Sequence, residues 1–266
     1  MGAPEIRVRD PTLDDCNDVT FPDHFSTVAA QYATSRPRYP AELFAWLASI
    51  APAHDLAWDA GCGSGQASVA LASHFTHVIA SDASAQQIAS AEPRANITYM
   101  VAGEVNAALD AETVDCVTVA QAVHWFNRDL FYQEVRRVLV PGGVFAVWSY
   151  DLAEITPRID EIVLPWYRDT LGPYWPTERL HVEQHYHKIG FPYAAIDAPA
   201  FVMKSSWTRE QFVDYLATWS AVTEYRLQTG RDPILTMRDA LASVWADNRA
   251  RDIRWPLTML AGFRQR

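Results

Sequence analysis

Apolar and polar positions along this chain switch between a helical and an extended period, and the switches mark out its elements. Leu43, Phe44, Trp46 and Leu47 share one side of a helix over Ala41–Ile50, the spacing of a core-facing helix. A short apolar run (Leu56, Ala57, Trp58) then ends in Asp59, followed by glycines at 61, 63 and 65 and a string of helix formers over 67–72. That order predicts a strand, a tight turn and a helix. Residues 77–81, 96–101, 114–122 and 144–148 are further apolar runs. The run at 114–122 is nearly continuous, as a parallel strand covered on both faces should be. Between the last two lies a helical pattern over 130–139, closed by Pro141, Gly142 and Gly143. Alternating strands and helices predict an α/β fold around a doubly wound parallel sheet.

Outside this stretch the pattern loosens. Residues 1–20 are acidic and irregular and read as a mobile N-terminal arm. Phe25, Val28, Ala29 and Tyr32 return to helical spacing until Pro37 and Pro40 stop it. Residues 151–190 carry Trp166, Tyr167, Tyr174, Trp175 and Tyr186. A connection this long is expected to be functional, and it reads as a helical cap inserted after the fifth strand. A sixth strand over 200–203, helices around 208–219 and 239–250 and a last strand over 255–263 complete the chain. The reading is one domain over 21–266, with no repeats and no low-complexity linker. His181 and His185 stand four apart in the cap, but nothing completes a metal set around them, and no metal is expected.

Composition narrows the chemistry. With 266 residues, 49% hydrophobic and 20% charged, the chain has the make-up of a soluble globular protein. No segment is apolar for the length of a membrane span, and residues 1–20 lack the form of a signal peptide. Three cysteines (Cys16, Cys62, Cys116) without a pairing pattern suggest a reducing, cytoplasmic setting. A net charge of −10, with lysine only at 188 and 204, argues against nucleic acid as partner, because that binding neutralises phosphates with Lys and Arg.

A glycine turn between strand and helix holds a small molecule outside the carboxyl end of the strand. The dinucleotide fingerprint would place a small residue at position 66, where this chain has Gln66, and Asp59 would repel a phosphate while suiting an ammonium group. An acid about twenty residues on, Asp82 followed by Ala83, suits ribose hydroxyls. The sequence D-A-G-C-G-S-G resembles motif I of the class I S-adenosylmethionine-dependent methyltransferases. The passages F-S-T-V-A-A-Q-Y-A-T-S-R-P-R-Y-P, H-W-F and E-V-R-R-V-L-V-P-G-G are similar to a subgroup of them that includes the trans-aconitate methyltransferases. The likeness runs from about Phe21 to the C-terminus.

This resemblance implies a Rossmann-like seven-stranded sheet and S-adenosyl-L-methionine as cofactor. Asp59, Gly61, Gly63, Gly65, Asp82 and Ala83 would hold it, with Gly103 and Glu104 at the adenine and Gln121 nearby. Residues 21–40 would form a lid that brings Phe25, Tyr32 and Arg36 to the methionine end. After the fourth strand, where the methyl should emerge, A-Q-A-V-H-W-F offers neither an N-P-P-Y turn nor a Pro-Cys nucleophile nor a magnesium-binding acid cluster. His124 titrates near neutrality and could serve as a base, or it could orient substrate. Trp125, Trp148, Trp166, Tyr174, Trp175 and Trp219 are the candidate walls of an acceptor pocket. A carboxylate acceptor would want a cation in the cap, for which Arg158, Arg179 and Arg226 are available. The expected activity is methyl transfer to a small molecule, on oxygen, nitrogen or carbon. A nicotinamide-dependent oxidoreductase on the same sheet and a non-catalytic binding module are the alternatives.

Overall fold

A computed structural model describes residues 36–105 and 109–265. The arm over 1–20, Phe25 and Tyr32 lie outside these residues. Helix α1 (Ala41–Ile50) leads into β1 (Leu56–Ala60), α2 (Gln66–Leu71), β2 (His77–Asp82), α3 (Ala85–Ala89) and β3 (Ile97–Val101). Then come β4 (Val114–Ala120), α4 (Arg128–Val138) and β5 (Leu139–Tyr150). The remainder contains α5 (Pro157–Pro165), α6 (Arg179–Glu183), β6 (Val202–Trp207), α7 (Arg209–Ala217), α8 (Ser220–Thr229), α9 (Pro233–Val244) and β7 (Arg251–Phe263).

The strands form one seven-stranded sheet in the order β3-β2-β1-β4-β5-β7-β6. β1 to β5 run parallel, and β7 runs antiparallel to both its neighbours. Chain order reverses between β1 and β4, the switch point outside whose strand tips such sheets bind ligands. Alternation along each strand feeds two cores. On one face Trp58, Ile79, Val117 and Phe145 pack with Phe131, Val135 and Val138 of α4. On the other, Ala57, Val78, Val144 and Ala146 pack with Leu43, Phe44 and Leu47 of α1 and with Leu71 of α2.

Strand β7 belongs to two structures at once. Its second half, Leu257 to Phe263, pairs with β5, and its first half, Arg251 to Pro256, pairs with β6. That first half reaches into a third core, where Ile253 and Trp255 meet Ile159, Trp166, Tyr167, Phe212, Tyr215, Trp219 and Trp245. The helical layer above the sheet therefore draws on α7, α8 and α9 as well as on the expected cap segment. Helix α9 begins at Pro233, capped by the Asp232 carboxylate, which accepts from the Ile234 N–H at 3.0 Å. The helix expected at 239–250 is thus displaced toward the N-terminus, and α8 had no counterpart in the sequence reading. Helix α6 ends at Glu183, and His185 follows with a positive φ of 51°. His181 and His185 accordingly do not share a helix face.

Candidate functional site

The three glycines of the loop after β1 all adopt positive φ (65°, 55° and 83°), a conformation that costs other residues about 1 kcal/mol or more. Their surroundings differ. A Cβ on Gly61 would stand 2.6 Å from the Ala122 Cβ, and one on Gly65 would stand 2.5 Å from the Tyr99 hydroxyl. These two glycines let the loop pack against the turn after β4 and against β3. Gly63 faces open space, with Gln87 Oε1 at 3.8 Å from where its Cβ would be. That oxygen is buried and has no hydrogen-bond partner among the described residues. An unsatisfied buried acceptor beside an open glycine fits a ligand that brings a donor to this loop.

Asp59 does not face that space. It is fully buried and accepts hydrogen bonds from Ser68 Oγ at 2.6 Å and Thr118 Oγ1 at 3.0 Å. It thereby ties β1 to α2 and β4. Burial lifts its pKa from 3.8 to about 6, against the opposing effect of the two hydroxyls. The expectation that this carboxylate meets a cofactor ammonium is corrected: strand alternation points it into the protein. Asp82, at the tip of β2, is half-buried. Its Oδ2 accepts from the Gly63 N–H and its Oδ1 from the Ser84 N–H, each at 2.8 Å. Ala83 beside it is exposed. Gly103 has open space on its Cβ side, and Glu104 Oε1 accepts from the Asn127 N–H at 3.0 Å, linking the turn after β3 to the start of α4.

At the tip of β4, Gln121 is a non-glycine residue at φ +58°, a strained conformation of the kind that concentrates at functional sites. It borders a cavity roofed by the helical layer, whose wall includes His124, Trp125, Tyr150, Trp175, Arg179 and Trp219. Arg36 enters the same cavity. Its Nη1 donates to the Tyr150 hydroxyl at 2.7 Å, and its guanidinium lies 5.2 Å from the centre of the Tyr215 ring. Of the expected pocket aromatics, Trp125, Trp175 and Trp219 are in the wall. Trp148 is not: it is fully buried on the opposite face, edge-on to Tyr39 and Phe44. Trp166 packs behind Trp219, and Tyr174 packs on Tyr225.

Of the three cap cations, only Arg179 reaches the cavity. Arg226 is engaged by Asp232, and Arg158 is exposed elsewhere. The Arg179 guanidinium is held by its Nε, which donates to the Tyr167 hydroxyl at 3.1 Å, and by stacking over Trp175 at 5.1 Å. No carboxylate of the described residues pairs with it. His124 sits on a 3-10 turn, Val123–Trp125, is 7% exposed and has Nδ1 at 3.1 Å from the Tyr186 hydroxyl. Burial, reinforced by the positive charges of Arg179, His181 and Arg128, lowers its pKa from 6.5 to about 3. A base titrating near neutrality is therefore not what this histidine provides. It is neutral in the working range. Asp151 also lines the cavity; burial raises its pKa, opposed by His185, whose Nδ1 lies 3.0 Å from Oδ2, and by the positive charge of Arg179.

Tyr150, Asp151, Tyr186, Gln87 and Tyr215 were not picked out as site residues. Only the left-handed turn that seats Tyr186 has a physical signature, and it involves no glycine that a sequence would display. Among the described residues no group of three metal-ligating side chains comes together, and no helix is long and apolar enough to cross a membrane.

Comparison with known proteins agrees with this geometry. The family model described as a methyltransferase domain matches residues 58–147. A Dictyostelium discoideum protein named as a methyltransferase is 32% identical over 252 residues, covering 90% of this chain and 94% of its own length. A Saccharomyces cerevisiae protein named as an S-adenosylmethionine-dependent methyltransferase is 25% identical over 233 residues, with 74% and 80% covered. Among solved structures, one from Anaeromyxobacter dehalogenans described as a type II methyltransferase superposes with a TM-score of 0.81 at 42% identity, covering 86% of this chain and 98% of that one.

Proposed function

This chain belongs to the class I S-adenosylmethionine-dependent methyltransferases, and from that premise we propose that it transfers a methyl group to a small acceptor bearing a carboxylate, held in the cavity at the tip of β4. The dinucleotide alternative falls with the family assignment. The relatives named above belong to the wider methyltransferase family rather than to the trans-aconitate subgroup in particular.

The cofactor supplies a methyl already activated on a sulfonium. What remains for the protein is to hold an acceptor lone pair in line and exclude water, which can lower a barrier by roughly 7–11 kcal/mol at its limit. In this reading Gly63, Gly65, Asp82, Ala83, Gly103, Glu104 and Gln87 hold the cofactor's nucleoside part. Gly61 joins that loop to the turn carrying Gln121 and His124. Arg36, already oriented by Tyr150 and Tyr215, serves the methionine end.

The single observation that carries the acceptor assignment is Arg179: a preoriented guanidinium in the cavity, in direct ion-pair contact with no carboxylate of the described residues, in a chain of net charge −10. Neutral His124 supports it. A hydroxyl acceptor needs its proton removed, whereas a carboxylate is already an oxygen nucleophile, and its methylation gives an ester without a base. Trp125, Trp175 and Trp219 enclose the acceptor's apolar part. Calorimetric titration of S-adenosylmethionine into wild type and Asp82→Ala tests the cofactor half. Micromolar binding in wild type, weakened at least tenfold in the variant, is expected. Equal binding by both proteins would remove Asp82 from the site.

A further inference from the structure

A basic and an acidic residue four apart on a helix ordinarily pair with each other. Helix α6 begins at Arg179 and ends at Glu183, yet among the described residues no ion pair joins them, because Tyr167 stands between the two. An arginine has no acceptor atom, so the 3.1 Å contact is the Arg179 Nε–H donating to the Tyr167 oxygen. The phenol in turn donates its own proton to Glu183 Oε1 at 2.5 Å. Burial pushes the Tyr167 pKa up to about 12, so the phenol keeps that proton throughout the working range.

The cap is built to place this hydroxyl. Helix α5 runs on into one π-turn over Trp166–Thr170, closed by the Leu171 N–H donating to the Trp166 carbonyl at 3.0 Å. Such turns are rare and gather at functional sites. This one packs the Tyr167 ring on Trp175 and Trp219, with centroids at 4.9 and 5.7 Å, and the Tyr167 carbonyl accepts from Trp175 Nε1 at 3.3 Å. Tyr167 is 6% exposed and is not part of the cavity wall. Its ring supplies the packing, while its hydroxyl serves Arg179 and Glu183.

One edge of Arg179 is left open. Nε is engaged, and neither Nη group donates to a described residue, although Arg179 lines the cavity. A guanidinium grips an oxyanion by two parallel hydrogen bonds, from Nε and one Nη or from both Nη groups. Only the second arrangement remains here.

We propose that Tyr167 is a positioning residue that holds Arg179 off Glu183 and presents its two Nη groups to the cavity as a fork for an oxyanion. The ligand of the fork rests on reading the cavity as the acceptor site; the clamp does not. Without the phenol oxygen, Arg179 pairs with Glu183 one turn away and is lost to the cavity. A carboxylate fills the fork with both its oxygens, whereas an amide brings only one.

The test joins nitrogen-15 NMR of the arginine side chains to calorimetry on the full chain, with phenylacetate as the anion. In wild type the Arg179 Nε–H, assigned by its absence from Arg179→Lys, should be protected from exchange with water. Tyr167→Phe, which keeps the ring, should lose that protection and bind phenylacetate about three- to tenfold more weakly, the cost of one hydrogen bond. Adding Glu183→Gln to Tyr167→Phe should recover most of the lost binding, since the competing ion pair is gone. A tyrosine that acts only through packing predicts no such rescue. An unprotected Arg179 Nε–H in wild type, protection that survives Tyr167→Phe, or a second substitution that weakens binding further would overturn the clamp. Absence of phenylacetate binding by wild type would sink the oxyanion fork, while a protected Nε–H that is lost in Tyr167→Phe would still uphold the clamp.

Discussion

Replacing Asp59 by Asn tests whether the acid before the glycine loop is a ligand or a structural tie. Asn keeps the size of the side chain, and the hydroxyls of Ser68 and Thr118 can each donate or accept, so both contacts survive. What disappears is the charge. Burial lifts the Asp59 pKa from 3.8 to about 6 in the folded protein. A folded-state value above the unfolded one favours the fold at low pH, and that advantage is lost as pH rises through about 6. At 1.36 kcal/mol per pH unit, the full effect is about 3 kcal/mol, of which roughly 1 kcal/mol falls between pH 5 and 8. The group is fully buried, so solvent screening does not reduce this figure. Urea unfolding of wild type and Asp59→Asn at both pH values measures it. Wild type should lose about 1 kcal/mol relative to the variant on going from pH 5 to 8. S-adenosylmethionine affinity should stay within a few-fold. A pH-independent stability difference, or a hundredfold loss of affinity in a folded variant, would show instead that Asp59 meets the ligand.

His124 gives the opposite sign. Its folded pKa of about 3 lies below 6.5, so its contribution is present above about pH 6.5 and lost as pH falls. Wild type should lose about 2 kcal/mol relative to His124→Gln between neutrality and pH 5, measured by urea unfolding. The two glycines should separate packing from binding. Gly61→Ala, which drives a methyl into Ala122, should cost about 2–4 kcal/mol in thermal or urea unfolding. Gly63→Ala should cost about 1 kcal/mol in stability while weakening S-adenosylmethionine binding in calorimetry.

Much of the sheet was legible because β1, β2, β4 and β5 are buried on both faces and therefore read as apolar runs. Helix α1 was bounded by Pro40 before it and by the break after Ile50. The helical layer was harder. Trp166, Trp219, Trp245 and Trp255 carry no period that says which faces a cavity and which a core, and the fold assigns Trp219 alone of these to the wall. Helix α9 did leave a local signal, Gly230 followed by Asp232 and Pro233: a left-handed helix end, then an N-cap and a first-turn proline. The apolar spacing used for the expected helix at 239–250 overlooks that signal, which starts the helix at Pro233. For Asp59 and His124 the sequence displays residue type and position but not burial, and burial shifts the ionisation of both. Tyr186 meets His124 from 62 residues away, a distance over which local pattern carries no information.

In the proposed function, Arg179 and a neutral His124 make this cavity a site for a carboxylate acceptor. The direct measurement is transfer of labelled methyl from S-adenosylmethionine to a panel of small carboxylic acids, each paired with its amide, by wild type and Arg179→Lys. The prediction is base-labile ester formed from acids and not from amides. In the variant KM should rise roughly ten- to a hundredfold, the cost of about 1.5–3 kcal/mol for a lost hydrogen bond to a charged group. Labelling of amines or phenols that is indifferent to Arg179 and abolished by Asp151→Asn would contradict it.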